Sequence, residues 1–157
     1  MAKDVQIVGL QIGRETYGIP IALVREIVRV PKITAVPNAQ EYVEGVINLR
    51  GKIVSVMDLR KRFGESHVEN SRKNRIVVVE IERRTVGLIV NSASEVLKLS
   101  PSEIEPPSSV FPDGEIDYVT GVGKLGDRII ILLDLSKVLR SGDLRRLEEA
   151  TAPLAAV

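Results

Sequence analysis

The segment YVEGVINLRGKIVSVMDLRK, residues 42–61, occurs a second time in altered form further along the chain. Residues 118–137 read YVTGVGKLGDRIIILLDLSK, and at an offset of 76 the two stretches share nine of twenty positions without a gap. In each copy a turn pair, Arg50-Gly51 or Gly126-Asp127, separates two aliphatic runs. Aliphatic runs joined by a two-residue turn that contains glycine are typical of a β-hairpin. The chain is therefore predicted to contain this hairpin twice.

A second, weaker repeat precedes each of these hairpins. Residues 11–30 align with residues 80–99 at an offset of 69, with five identical positions. Alternating apolar residues around a turn predict a further hairpin at the start of each copy. We therefore interpret the chain as a single domain, residues 1–157, built from two repeat units, residues 5–72 and 73–140. We expect a mainly β fold with two five-stranded β-barrel subdomains, because closure removes exposed strand edges.

Short helices are predicted after the hairpins. The second strand of each copy ends in Asp-Leu-x-Lys, and we expect Asp58 and Asp134 to cap the first turn of a helix. The helical pattern that begins at Leu135 is expected to break at Gly142. The end of the chain, residues 141–157, is predicted to be a C-terminal helix and tail.

Composition limits the classes of function that are available. The 22 basic and 21 acidic residues give a net charge of +1, so no overall field favours nucleic acid or anionic lipid. The absence of cysteine excludes disulfides, thiolate metal sites and thiol catalysis. The N-terminus has no long apolar segment, and the longest aliphatic run, residues 129–133, is too short to cross a bilayer. We expect a cytoplasmic protein that does not insert into membranes.

The sequence has no recognisable catalytic motif. The single histidine, His67, lies in a polar stretch that is typical of a surface loop, and no cysteine or second histidine can join it at a metal. Gly121 and Gly123 lack the third glycine of a dinucleotide-binding loop. We therefore predict that the protein is not an enzyme and uses no cofactor.

Nucleic-acid binding is an alternative, because small barrels often have that role. Basic clusters occur at residues 60–62, 72–75 and 83–84. Stacking of bases requires aromatic side chains among such basic residues, and here aromatics are only 3% of the chain. Protein–protein binding is the preferred interpretation, and a small-barrel nucleic-acid-binding protein remains the less favoured one.

The two copies differ at the turn of the repeated hairpin. The second copy forms its turn from Gly126 and Asp127, so the turn itself does not require the arginine found at position 50. We interpret Arg50 as an addition to one copy and predict that it belongs to a binding surface.

The segment from Glu41 to Gly64, EYVEGVINLRGKIVSVMDLRKRFG, resembles the signature of the CheW family of bacterial chemotaxis coupling proteins. The resemblance extends over roughly residues 5–139. It implies two five-stranded β-barrels with partly intertwined strands and no enzymatic activity. It also implies two partners, namely the cytoplasmic tip of methyl-accepting chemoreceptors and the regulatory domain of the histidine kinase CheA. The chain is then expected to be a stand-alone coupler in membrane-associated receptor arrays.

The resemblance implies that eight residues lie at or near partner contacts, and for Val24, Gly87 and Val96 a place in the barrel core or in a turn stays open as the alternative. The family's central motif falls on Gly45, Asn48, Arg50 and Gly51, and further motif positions fall on Val24, Glu26, Gly87 and Val96.

The chain departs from the family pattern at two places. Asn91 stands where the family usually has aspartate, and residues 103–117 follow no strong pattern, so a kinase contact near that segment cannot be carried over. A coupler of a non-motility pathway, such as pilus or developmental control, stays open as an alternative.

Overall fold

The computed structural model describes residues 3–37, 43–64, 70–109 and 117–139. Most of these residues form strands, which confirms the predicted mainly β class. In chain order the elements are β1 (Val5–Ile12), β2 (Glu15–Pro20), β3 (Val24–Arg29), β4 (Val43–Leu49), β5 (Lys52–Asp58), α1 (Leu59–Arg62), β6 (Arg75–Ile81), β7 (Arg84–Val90), β8 (Ser92–Leu99), β9 (Ile104–Glu105), β10 (Val119–Leu125), β11 (Arg128–Leu133) and α2 (Leu135–Val138). The predicted tail, residues 141–157, and His67 lie outside the described residues.

The strands form two sheets. One sheet has the order β8-β1-β2-β11-β10-β9, and the other has the order β3-β6-β7-β5-β4. The prediction of five strands in each unit therefore misses one strand, because β9 adds a sixth to the first sheet. That strand has two residues and follows a 3-10 turn that starts at Pro101, so it is too short to produce an alternating pattern in the sequence.

Each sheet combines strands from both repeat units. The β1–β2 hairpin of the first unit pairs with β8 and β11 of the second, while the β6–β7 hairpin pairs with β3 and β5 of the first. The pairing register follows the sequence repeat. Ser55 lies opposite Val86 in one parallel pair, and their equivalents Ile131 and Tyr17 lie opposite each other in the second. The two copies have thus exchanged their opening hairpins.

Both sheets curl until their outer strands approach one another through a short link. After β3, Thr34 pairs with Val46 of β4 through two backbone hydrogen bonds of 2.9 Å. In the other sheet β9, which follows β8, makes the equivalent pairing between Glu105 and Val122 of β10. The link therefore occurs at the same repeat position in each sheet, where it covers an edge that would otherwise be exposed.

Apolar side chains pack on both faces of the sheets. One cluster lies within each curled sheet, and a larger cluster between the sheets contains residues from β1, β2, β5, β6, β7 and β11. The helices begin as predicted, since Asp58 Oδ1 accepts a hydrogen bond from Arg60 N (2.9 Å) and Asp134 Oδ1 accepts one from Ser136 N (3.1 Å). In the part of the chain that the structure describes, no helix has the length and apolar character needed to span a bilayer.

Candidate functional site

The turn between β4 and β5 is a two-residue turn with an unusual first residue. Arg50 has φ 52° and Gly51 has φ 87°, the combination of a type I′ turn, which needs positive φ at both central positions. Asn48 supports the turn, because its Oδ1 accepts a hydrogen bond from the backbone N–H of Gly51 (2.8 Å). Arginine is disfavoured in this left-handed conformation, whereas the equivalent residue of the second copy is Gly126.

The Arg50 side chain reaches back across the curled sheet to Glu26 on β3. Arg50 Nη1 donates to Glu26 Oε1 at 2.9 Å, and Nη2 donates to Oε2, so the ion pair is bidentate. These hydrogen bonds hold the pKa of Glu26 below its ordinary value and raise that of Arg50. The Arg50 side chain remains 72% exposed and that of Glu26 27% exposed, so a partner protein can reach the pair.

The pair lies at one end of the five-stranded sheet, over an open cavity of about 500 Å³ that we call the Arg50 mouth. A second ion pair, Arg25 with Glu80, lies at the same rim. The lining combines charged and aliphatic side chains: Arg25, Glu26, Leu49, Arg50, Lys52, Ile53, Val54, Val78, Glu80 and Thr85. Ile53 is 47% exposed there, so the mouth offers apolar surface next to exchangeable ion pairs.

The second copy has a related ion pair on the other sheet. Glu95 is the repeat equivalent of Glu26, and Arg128 Nη2 donates to its Oε2 at 2.9 Å. Arg128 is equivalent to Lys52 rather than to Arg50, so the arginine comes from a different position of the hairpin. Both copies therefore have an ion pair between a strand and the repeated hairpin. The arginine in the strained turn position occurs in the first copy.

The structure brings together some of the eight predicted site residues and separates others. Glu26 and Arg50 line the Arg50 mouth, and Asn48 and Gly51 belong to the turn that carries Arg50. Gly45 lies at the other end of the same hairpin strand, four residues before Leu49.

The three remaining residues lie elsewhere. Val24 is half-buried against the cluster between the sheets, and Val96 is 60% exposed on β8 of the six-stranded sheet. Gly87 is buried in β7, where an added Cβ would come within 2.8 Å of Ile76 Cγ2, so packing accounts for this glycine.

Sequence analysis missed a buried polar cluster below α1. The Arg60 guanidinium makes two hydrogen bonds of 3.0 Å to the Asp58 carboxylate, and both side chains are at most 3% exposed. The side-chain amide of Asn74 is oriented so that its oxygen accepts a hydrogen bond from Arg60 Nη1 (3.2 Å). Its nitrogen donates a hydrogen bond to the backbone oxygen of Asn91 (3.3 Å). Asn91 Oδ1 in turn accepts from Gly13 N (2.8 Å), which ties the two sheets together.

The sequence carried a signal for this cluster. The first copy has Asp-Leu-Arg at residues 58–60, where the second has Asp-Leu-Ser at residues 134–136. The positive charge of Arg60 thus lies two residues after an aspartate that caps a helix. Asn91, the departure from the family pattern, joins this cluster through its backbone oxygen, while its side chain accepts the hydrogen bond from Gly13.

Comparison with known proteins now identifies the family. The pattern of the CheW-like domain matches residues 6–143. The chain belongs to the CheW-like family. It is 36% identical over 133 residues to the chemotaxis protein CheW of Klebsiella aerogenes, covering 85% of this chain and 80% of the relative. It is 34% identical over 149 residues to the chemotaxis protein CheW of Treponema pallidum, covering 92% and 88% respectively.

A solved member of the family has the same fold. The crystal structure of the scaffolding protein TtCheW from Thermoanaerobacter tengcongensis superposes with a TM-score of 0.78 at 39% identity, and the match covers 91% of this chain and 96% of that one. The CheW-like family consists of adaptors in chemotactic signalling rather than enzymes. The resemblance stated from sequence is thereby confirmed.

Proposed function

We propose that this protein couples methyl-accepting chemoreceptors to the histidine kinase CheA in the cytoplasm, within receptor arrays, and that the Arg50 mouth is one of its coupling surfaces. Membership of an adaptor family supports the first part. The second part is supported by one observation, namely that a strained turn position holds an exposed arginine in a bidentate pair.

Folding alone does not explain that arginine. A glycine would adopt the turn conformation without steric penalty, as Gly126 does in the second copy. Exposed ion pairs contribute little to stability, because solvent screens them and two long side chains lose freedom. A residue that is conformationally unfavourable and only weakly stabilising is best explained by a role in binding.

The proposed mechanism involves no chemistry on the adaptor. Coupling requires that the binding free energy of a partner differ between signalling states, typically by about 1–3 kcal/mol. The aliphatic floor of the mouth would receive an apolar partner side chain, while Arg50 either keeps Glu26 or exchanges it for a partner carboxylate.

The test is reconstitution of the purified protein with CheA and a cytoplasmic receptor fragment. We expect receptor-dependent kinase stimulation that requires this protein and that falls strongly with Arg50→Ala. The melting temperature of that variant should stay within about 3 °C of the parent, since the pair is exposed. If Arg50→Ala melted much earlier, the arginine would be structural and the proposed surface would be wrong.

A charge swap separates contact with a partner from bracing of the hairpin. The double variant Glu26→Arg with Arg50→Glu restores an ion pair of reversed direction. Recovered kinase stimulation would mean that the pair only braces β3 against the hairpin. Continued loss, in a variant that melts normally, is the expected result and would mean that Arg50 contacts the partner directly.

A further inference from the structure

Three arginines form an unbalanced cluster at the end of the five-stranded sheet opposite the Arg50 mouth. Arg29 at the end of β3 lies directly across from Arg75 at the start of β6, and Arg72 lies in the turn that precedes β6. Arg75 Nη1 donates to the backbone oxygens of Arg72 and Asn74, both at 2.8 Å, which holds its guanidinium beside that turn. Along β3, Arg29 lies three residues beyond Glu26 of the mouth, which is about 10 Å at 3.3 Å per residue.

No carboxylate of the described residues forms an ion pair with any of the three arginines of this cluster. Elsewhere in the described chain, seven basic side chains have such a carboxylate: Arg25, Arg50, Arg60, Lys61, Arg84, Lys124 and Arg128. Like charges directly opposite on neighbouring strands are destabilising, so the facing Arg29 and Arg75 oppose folding.

A concave surface accompanies the cluster. A cavity of about 440 Å³ is lined by Arg29, Val30, Ser71, Arg72 and Asn74. It adjoins a second cavity of about 280 Å³ that shares Val30 and Asn74 and adds the aliphatic side chains Ile33 and Ile89. Two ion pairs, Arg60 with Asp58 and Lys61 with Glu44, also line the second cavity, and their charges balance. We call the two cavities together the arginine groove. Its excess positive charge comes from Arg29 and Arg72, which lie next to the apolar side chains.

We propose that the arginine groove binds an acidic peptide segment of a partner protein, at a surface separate from the Arg50 mouth. Carboxylates of the segment would lie between Arg29, Arg72 and Arg75, where arginine can bind them bidentately and relieve the repulsion. Aliphatic side chains of the same segment would pack against Val30 and Ile33. A peptide fits better than nucleic acid, because no aromatic side chain lines either cavity to stack on bases.

The test uses the full chain and a fluorescein-labelled peptide with the repeating sequence Glu-Glu-Leu, followed by fluorescence anisotropy at low and physiological salt. The double variant Arg29→Glu with Arg72→Glu should weaken binding by about tenfold or more. The matched control, Arg14→Glu with Lys98→Glu, makes the same charge change at exposed positions of the other sheet and should bind like the parent. If charge reversal impairs folding, Arg29→Gln with Arg72→Gln should still weaken binding.

Three outcomes would overturn the proposal. The first is equal weakening by both double variants, which would mean that only net charge matters. The second is equal affinity for a Gln-Gln-Leu peptide. The third is tighter binding, at the same salt and through the same arginines, of a labelled duplex oligonucleotide or of vesicles with anionic lipid, which would assign the groove to those ligands. Kinase stimulation by the parent is measured separately, so failure here leaves the proposed coupling role standing, and failure of coupling leaves this result standing.

Discussion

Replacement of Gly45 by alanine should disrupt the link between Thr34, which follows β3, and Val46 of β4. Gly45 has φ +142°, and an added Cβ would lie 2.0 Å from the backbone oxygen of Thr34 and 3.0 Å from the Cα of Ala35. Ordinary contacts of this kind are about 3.4 Å, so the backbone at Thr34 would have to move by more than about 1 Å. Backbone atoms at such a site have no alternative rotamer to adopt. The two 2.9 Å hydrogen bonds between Thr34 and Val46 should therefore break.

The magnitude follows from these two effects. Two backbone hydrogen bonds contribute about 1 kcal/mol each, and the disfavoured φ of a non-glycine residue costs about 1–3 kcal/mol. Gly45→Ala should therefore lower the free energy of unfolding by about 3–5 kcal/mol. For a chain of this length, that corresponds to a fall in melting temperature of about 6–20 °C.

Two other glycines provide matched controls in the same thermal melts. Gly51→Ala has an unfavourable φ of +87° but no atom within 4 Å of the added Cβ, so it should cost only about 1 kcal/mol. Gly121→Ala is the repeat equivalent of the test variant, yet its nearest atom is a side-chain carbon, Ile104 Cγ2, at 3.0 Å. Hydrogen exchange at the Thr34 amide should accelerate in Gly45→Ala and in neither control. A Gly45→Ala protein that melted as late as Gly51→Ala would show that the contact with Thr34 does not limit residue 45.

Three further predictions concern other parts of the molecule. Hydrogen bonds from Arg50 lower the pKa of Glu26, so the stability that Glu26 contributes is present above its unfolded pKa and is lost as pH falls through its folded pKa. An NMR titration should show the low pKa of Glu26 in the parent and a higher one in Arg50→Ala. Glu82 and Arg83 form a turn with φ of 50° and 67°, a conformation that asparagine and glycine adopt more readily. The double variant Glu82→Asn with Arg83→Gly should therefore raise the free energy of unfolding by about 1–2 kcal/mol in denaturant melts, and an unchanged free energy would contradict backbone strain at this turn. Asp58→Ala removes the carboxylate that pairs with the buried Arg60 and should lower the free energy of unfolding by about 3–5 kcal/mol. The control, Asp134→Ala, removes only the cap of α2 and should lower it by about 1 kcal/mol, and equal losses would show that the buried pair adds nothing beyond the cap.

Local features of the fold could be predicted from sequence, because hairpins, turn residues and helix caps depend on neighbouring positions. The turns at residues 50–51 and 126–127 and both aspartate caps were predicted on this basis. Which hairpin joins which sheet was not visible in the residues, since β1–β2 and β6–β7 have similar patterns and each could pair within its own unit. The two-residue strand β9 and the Thr34 link were missed because a single backbone pairing has no period.

The candidate site was only partly predictable for a related reason. Arg50 was singled out because the second copy lacks an arginine at that turn position, and the structure adds that the second copy pairs its equivalent glutamate, Glu95, with Arg128. An ion pair between strand and hairpin is therefore a property of the repeat, whereas an arginine at the turn position occurs in one copy, and its role in binding stays a prediction. What is specific to the first copy is the strained turn position from which Arg50 reaches Glu26.

The exchange of hairpins also constrains how the protein could perform the proposed coupling of two partners. Because each sheet contains strands from both repeat units, the two units cannot separate without breaking β1–β8 or β3–β6 pairing. The apolar cluster between the two sheets, and the hydrogen bond from Gly13 to Asn91, oppose rotation of one sheet against the other. Two partners bound to different sheets are then held in a fixed relation, so a change in one partner would reach the other by displacement of a rigid body rather than through a hinge within the adaptor. Native-state hydrogen exchange should accordingly show the central strands of both sheets opening with a single free energy. Protection that differed between the two sheets by several kcal/mol would instead indicate two independent units and a flexible connection.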